Sequence, residues 1–227
     1  MRSVVAGDRI EAVMFDMDGT LLDSWEALLG AYHDATTEVL GAPTPVERAE
    51  VDELIQLSAR DAFPRLAGGD PELAKRIQVA FGESYRSRSE QIALYDGVAE
   101  TLHMLRDQGL KLGIATSKSR VRLDRDLEQT GIAELLDATI CGDEVPAAKP
   151  DPSPIHAIME LLGVEPAAAL YVGDGANDVM AAQRAGVEAV GAGYGFHPQA
   201  CRAAGPEHWI DDPLALPGVV AGARPAG

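Results

Sequence analysis

From about residue 97 onward the chain repeats one unit: an amphipathic helical stretch, a glycine, then a short apolar stretch. In GVAETLHMLRDQG, Val98, Leu102 and Leu105 share one helical face and Gly109 ends it, before KLGIAT reads as a buried strand. SRVRLDRDLEQTG closes at Gly131 ahead of a strand around DATI, and PSPIHAIMELLG closes at Gly163 ahead of AALYVG. NDVMAAQRAG closes at Gly186 ahead of VEAVGA. Glycine just past a helix supplies the left-handed residue that caps it. Short apolar strands alternating with helices pair in parallel, because a helical crossover returns the chain to the same end of the sheet. EAVMF, residues 11–15, supplies a first strand. The expected fold is therefore α/β, a doubly wound, Rossmann-like parallel sheet.

Residues 23–95 have a different texture. They offer no convincing strand but several helical stretches, among them SWEALLGAYHDATTEVLG and DPELAKRIQVAFGESYRSR. This predicts a small all-helical cap domain of residues 23–95, inserted after the first strand into a core domain of residues 1–22 and 96–227. The tail beyond Pro213 is rich in Pro, Gly and Ala and is expected to fray.

The formal net charge of −17 disfavours nucleic acid and anionic membrane surfaces as partners, since both need a basic face. No apolar run is long enough to span a bilayer, and Asp8 and Glu11 interrupt the amino-terminal stretch, so a cytoplasmic location is expected. Cys141 and Cys201 form no metal-ligand spacing and read as reduced thiols. The charge also sets a problem: an acidic chain repels an anionic substrate unless its site carries local cations.

Four spots fall at the carboxyl ends of expected strands, the edge where open parallel sheets bind ligands. Asp16-Met17-Asp18-Gly19-Thr20 places two carboxylates two residues apart, able to point into one cleft, hold a divalent cation and divide the work of nucleophile and acid/base. Its plain alternative is an acidic turn. A calcium loop is disfavoured because the twelfth position from Asp16 is Ala27, where a bidentate glutamate is needed. Thr116-Ser117-Lys118 offers hydroxyls beside the N–H groups of an opening helix, which suits a phosphate oxygen, although alone it reads as a helix N-cap. Lys149 precedes Pro150, Pro152 and Pro154, and a lysine on so stiff a segment can neutralise phosphate; in isolation it is a surface lysine. Gly173-Asp174-Gly175-Ala176-Asn177-Asp178 turns tightly after a strand, projecting Asp174 as a metal ligand with Asp178 on the same side, or is simply a solvated turn. Together, two or three carboxylates, a lysine and a hydroxyl fit magnesium plus a phosphoryl group.

The order DMDGT, Thr116, Lys149, GDGAND resembles the four signature motifs of the haloacid dehalogenase superfamily, and the helical insert resembles that of the subclass containing phosphoglycolate phosphatases, pyrophosphatases and β-phosphoglucomutases. The resemblance runs from about residue 11 to 195. It implies that Asp16 is the nucleophile, forming an aspartyl-phosphate, and that Asp18 protonates the leaving alcohol and then activates water. It implies Mg2+ held by Asp16, the backbone carbonyl of Asp18 and Asp174. Thr116, Ser117 and Lys149 would bind the phosphate, with Asp178 behind them orienting Lys149 or a metal-bound water. In the cap, related chains often carry Gly-Leu-Pro-x-Arg-Glu; here Gln56-Leu57-Ser58-Ala59-Arg60-Asp61 departs from it, leaving Arg60 as the candidate contact to the leaving group.

The expected activity is thus a magnesium-dependent phosphatase acting on a small phosphorylated metabolite, phosphoglycolate foremost, in a monomer or homodimer. A haloalkanoate dehalogenase would need neither Asp18 nor Asp174. A sugar-phosphate mutase would share every group and differ in how the cap excludes water. A non-catalytic phospho-ligand sensor would not need Asp16. GAGYGF, residues 191–196, lacks the third glycine of a dinucleotide loop and reads as a loop near the cleft, with His197 at its border.

Overall fold

The structure, a computed structural model, describes residues 9–41, 48–55 and 57–223. Strand β1 (Ala12–Phe15) leads through a turn into β2 (Leu22–Asp23) and the long helix α1 (Trp25–Leu40). Helices α2 (Arg48–Ile55), α3 (Ala59–Leu66) and α4 (Pro71–Ser87) follow, and β3 (Ala93–Leu94) returns the chain. The remainder alternates: α5 (Val98–Asp107), β4 (Lys111–Ala115), α6 (Arg120–Thr130), β5 (Ala138–Ile140), α7 (Ser153–Leu162), β6 (Ala169–Gly173), α8 (Ala176–Arg184) and β7 (Glu188–Ala192). Three further elements complete the chain, α9 (Pro198–Ala203), β8 (His208–Ile210) and α10 (Leu216–Gly222).

Six strands form one parallel sheet in the order β5-β4-β1-β6-β7-β8. Strand β1 lies at its middle, with Phe15 level with Ile114 of β4 and Val172 of β6. Period-two alternation divides its side chains between two cores. Val13 and Phe15 pack on one face with Leu102 and Leu105 of α5 and Leu123 of α6; Ala12 and Met14 pack on the other with Ile155 and Ile158 of α7 and Val179 of α8. A strand covered on both faces must be apolar at every position, as AVMF is. Gly131 and Gly163 take φ of 72° and 62°, the left-handed caps expected at the ends of α6 and α7.

Strands β2 and β3 pair antiparallel, Leu22 opposite Leu94 and Asp23 opposite Ala93, so the chain enters and leaves the α1–α4 helices through two adjacent crossings. Those helices close around an aromatic cluster. Tyr32 of α1 meets Phe81 of α4 at 4.6 Å between ring centroids, Phe63 of α3 meets Phe81 at 5.4 Å, and Phe81 stacks on Tyr85 at 5.9 Å.

The carboxyl-terminal segment corrects an expectation. Rather than fraying after Pro213, the chain forms α10, which buries Leu216 and Val220 in the core shared with α5. Pro217 lies in its first turn, where a missing N–H costs no hydrogen bond. Strand β8 also escapes the sequence pattern, as three residues between Pro206 and an acidic pair give no readable alternation.

Candidate active site

Because β1, β4 and β6 are in register, their carboxyl ends lie side by side. Asp16 follows β1 directly, Thr116 follows β4 and Asp174 follows β6. The Asp16 N–H donates to the Val172 carbonyl at 2.9 Å, fixing the nucleophile candidate against β6. Gly19 then turns the chain at φ 80°, and its α-carbon lies so close to the Asp174 carboxylate that a side chain there would collide with it.

Lys149 organises this end of the sheet. It is buried, and its Nζ lies 2.8 Å from Asp16 Oδ1 and 2.6 Å from Asp178 Oδ1. It also donates to the Tyr171 hydroxyl at 3.0 Å and the Ala115 carbonyl at 3.3 Å. Asp178, in the first turn of α8, uses its other oxygen to accept the Gly175 N–H at 3.0 Å. Asp178 is therefore the strut that holds Lys149 against Asp16. Asp174 accepts the Phe196 N–H at 2.7 Å, so the GAGYGF loop, together with the close approach of Gly195, braces this carboxylate.

The electrostatics follow from burial and charge imbalance. Burial drives the Asp16 carboxyl up, Lys149 pulls it down, Asp178 pushes it up again, and the result is a rise from an ordinary 3.8 to about 6. Burial and the adjoining Asp178 and Asp16 hold Asp174 well above the carboxylate range. Burial works to discharge Lys149, but Asp16 and Asp178 outweigh it and hold its ammonium firmly charged.

Carboxylate oxygens of Asp16, Asp174 and Asp178 lie within 4.8 Å of one another. Three carboxyl groups stand beside one lysine, so they do not all ionise freely without a further cation, and they present only hard oxygen donors. That donor set fits Mg2+.

Asp18 lines the same cavity as Asp16 but faces a second set of cations. Its carboxylate accepts from Lys118 Nζ at 2.5 Å, from the Ser24 hydroxyl and, at 3.5 Å, from Arg122 Nη2. Burial alone would raise it; Lys118 and Arg122 outweigh burial and hold it below the ordinary carboxylate range. Lys118 is in turn paired with the fully buried Asp126 at 2.6 Å, and Tyr85 of α4 donates to Asp126 at 3.2 Å. This network of Lys118, Arg122, Asp126 and Tyr85 ties the helical insert to the sheet. Sequence reasoning missed it; the available signal was the four-residue spacing of Arg122 and Asp126, in step with the core residues Leu123 and Leu127.

Thr116, Ser117, Lys149, Asp174, Asp178 and His197 also line the cavity, with Leu28, Tyr32, Leu57 and Phe63 of the insert opposite. The Thr116 hydroxyl accepts the Lys118 N–H at 3.3 Å. Arg60 is not among the residues that line the cavity. Its guanidinium donates to the carbonyls of Pro146 at 3.0 Å and Val145 at 3.3 Å, which ties α3 to the 145–146 loop. Gln56 lies outside the described residues.

The chain resembles a phosphoglycolate phosphatase of Pseudomonas putida, 38% identical over 90% of this chain and 77% of that one. It also resembles the pyrophosphatase PpaX of Bacillus velezensis, 31% identical over 82% of this chain and 84% of that one. Among solved structures it superposes on a predicted phosphoglycolate phosphatase from Haemophilus somnus with a TM-score of 0.80, 26% identity, and coverage of 92% and 97% of the two chains. Residues 13–192, from β1 through β7 with the helical insert between, match one family throughout, and the chain belongs to the haloacid dehalogenase-like hydrolases.

Proposed function

We propose that this protein is a magnesium-dependent phosphatase that hydrolyses small phosphate monoesters through an aspartyl-phosphate on Asp16. The observation that carries the reading is Lys149, buried and ion-paired at once to Asp16 and Asp178, with Asp174 in the same cluster. A core carrying two acids beyond its one base wants a cation and an anionic ligand together.

In this reading an Asp16 oxygen attacks phosphorus and the bond to the leaving alcohol breaks. Asp18 gives the departing oxygen a proton, which it must first take up against the pull of Lys118 and Arg122. Water then attacks the phosphorus of the aspartyl-phosphate, Asp18 takes the water's proton, and inorganic phosphate leaves with Asp16 restored. Lys149 balances charge on the phosphoryl oxygens, while Thr116 and Ser117 donate hydrogen bonds to them. Asp16, Asp174 and the Asp18 carbonyl would hold Mg2+, which supplies charge neutralisation at the phosphoryl group. Asp178 keeps Lys149 in place.

The helices of residues 23–95 act as a cap that closes the cavity and selects the leaving group. The phosphoglycolate phosphatases among the relatives support phosphoglycolate as the substrate, and the cytoplasm is the proposed place of action. Among the described residues no helix is long and apolar enough to cross a membrane.

The test is phosphate release from a panel of monoesters, with and without magnesium. Metal-dependent release of inorganic phosphate, lost in Asp16→Asn, is expected. Release unaffected by a chelator would overturn the reading, and an isomerised ester in place of free phosphate would make the protein a mutase.

A further inference from the structure

The reaction above gives no role to one cation that lines the cavity. Arg122, in the first turn of α6 and beside Asp18, has its side chain 18% exposed. Its guanidinium carbon lies 4.5 Å from the centroid of the Tyr85 ring and 5.2 Å from that of Phe81, so two aromatic rings of α4 hold it. Such packing fixes the side chain but satisfies no N–H group. Its Nε is buried with no hydrogen-bond partner among the described residues, and Nη2 meets Asp18 Oδ2 only at 3.5 Å. A guanidinium has five donors in a rigid fork. Leaving the buried Nε–H unmade is costly, and an anion that enters can accept from it and from the Nη groups beside it.

Lys118 is not in the same position. Its ammonium is committed to Asp18, Asp126 and the Tyr85 hydroxyl at 2.5, 2.6 and 3.2 Å. Arg60, the cation singled out by sequence comparison, is engaged with two backbone carbonyls. Arg122 is thus the cation of the cavity wall with donors to spare. The surrounding wall contributed by the insert, Leu28, Ile55, Leu57 and Phe63, offers no competing charge.

We propose that Arg122 is the specificity-determining residue for the leaving group, gripping a carboxylate on the alcohol with two parallel hydrogen bonds. The substrate class is then a phosphate monoester of a short hydroxy acid. A planar fork held by aromatic rings suits a planar carboxylate better than a neutral hydroxyl. This inference rests on the phosphatase reading and adds to it which end of the substrate is read, and by what.

The test compares kcat/KM for 2-phosphoglycolate with that for 2-hydroxyethyl phosphate, a neutral ester of similar size, in the presence of magnesium. The wild-type protein is expected to prefer the carboxylate ester by at least about tenfold, the scale of one charged hydrogen-bonded contact. Arg122→Met keeps an apolar stem against the rings and removes the charge; it should lower that preference by about 10- to 100-fold. Arg122→Lys keeps the charge without the fork and should recover only part of it. Free glycolate, added as an inhibitor of aryl phosphate hydrolysis, should weaken in Arg122→Met by a similar factor. Absence of a wild-type preference, or the same substrate ratio in Arg122→Met as in wild type, overturns the assignment while leaving the phosphatase reading standing. No magnesium-dependent release from either ester by the wild-type protein overturns both.

Discussion

Replacing Asp16 by asparagine should abolish turnover and, in metal-free protein, stabilise the fold. The two effects have one origin. Asp16 sits in a cluster with two other carboxylates, and its carboxyl is raised from 3.8 to about 6 even with Lys149 beside it. A rise of about two units amounts to about 3 kcal/mol of destabilisation once the group is ionised in the folded state. The attraction of Lys149 is already contained in that net shift, so an uncharged isostere should recover most of the 3 kcal/mol at pH 7.5. For a domain of this size that is a rise in Tm of about 6–12 °C. The sign with pH follows. The folded-state value lies above the unfolded one, so the contribution of Asp16 to stability is fully present below about pH 4 and is lost as pH rises through about 6. The gain from Asp16→Asn should therefore be large at pH 7.5, shrink through pH 5 and vanish near pH 4. Thermal melts of both proteins in chelator at a series of pH values measure it. Magnesium should raise the wild-type Tm more than the variant's, since the ion relieves the same repulsion. An Asp16→Asn protein that melts at or below wild type in chelator at pH 7.5 would refute the argument that the carboxylate cluster is strained without a cation.

Other outcomes follow from the same geometry. Asp16→Asn should lose more than about a thousandfold in phosphate release, or roughly 4 kcal/mol of barrier, because an amide does not attack phosphorus. Lys149→Ala should lose more than about 100-fold, and Lys149→Arg should rescue poorly, since four oxygens surround a compact ammonium at 2.6–3.3 Å with no room for a planar fork; kcat on any accepted ester checks both. Removal of magnesium should stop phosphate release, and calcium should fail to restore it because it prefers more ligands at longer distances. Arg60→Ala should weaken hydrolysis of 2-phosphoglycolate and of an aryl phosphate by the same factor, since it loosens α3 from the 145–146 loop; loss confined to the carboxylate ester would return Arg60 to the substrate.

What the sequence made legible, and what it hid, divides by range. Asp16, Thr116 and Asp174 were readable because each directly follows an apolar run that had to be a buried strand, and a parallel sheet brings such ends together whatever lies between them. Lys149 was readable from the prolines after it. Asp178 was readable from its spacing to Asp174, although its partner, Lys149, was one of two possibilities. The Lys118–Asp126 pair was hidden because α6 is strongly charged along its length, and charged helices ordinarily face water. Asp126 is fully buried, paired with Lys118 and bonded by Tyr85, 41 residues earlier, from α4. Arg60 shows the reverse limit: a motif position fixes where a residue sits on a helix, but not which of two nearby surfaces its long side chain will reach.

The charge problem posed by composition is met locally, and in a conditional way. Of the cavity-lining side chains, Lys118, Arg122 and Lys149 are cations, against the four carboxylates of Asp16, Asp18, Asp174 and Asp178. With all seven ionised the cavity is one charge negative, inside a chain already at −17. An anionic ester is repelled by such a site. A bound divalent cation reverses the sign to one positive, and low surrounding polarity magnifies the difference. The arrangement therefore links substrate capture to metal capture before any chemistry begins. It also accounts for why the cations are held so firmly. Lys149 and Lys118 are each pinned between two carboxylates, so neither can swing out to neutralise the acidic exterior. An acidic protein can in this way keep an inwardly directed positive field over a few ångströms while its surface excludes polyanions.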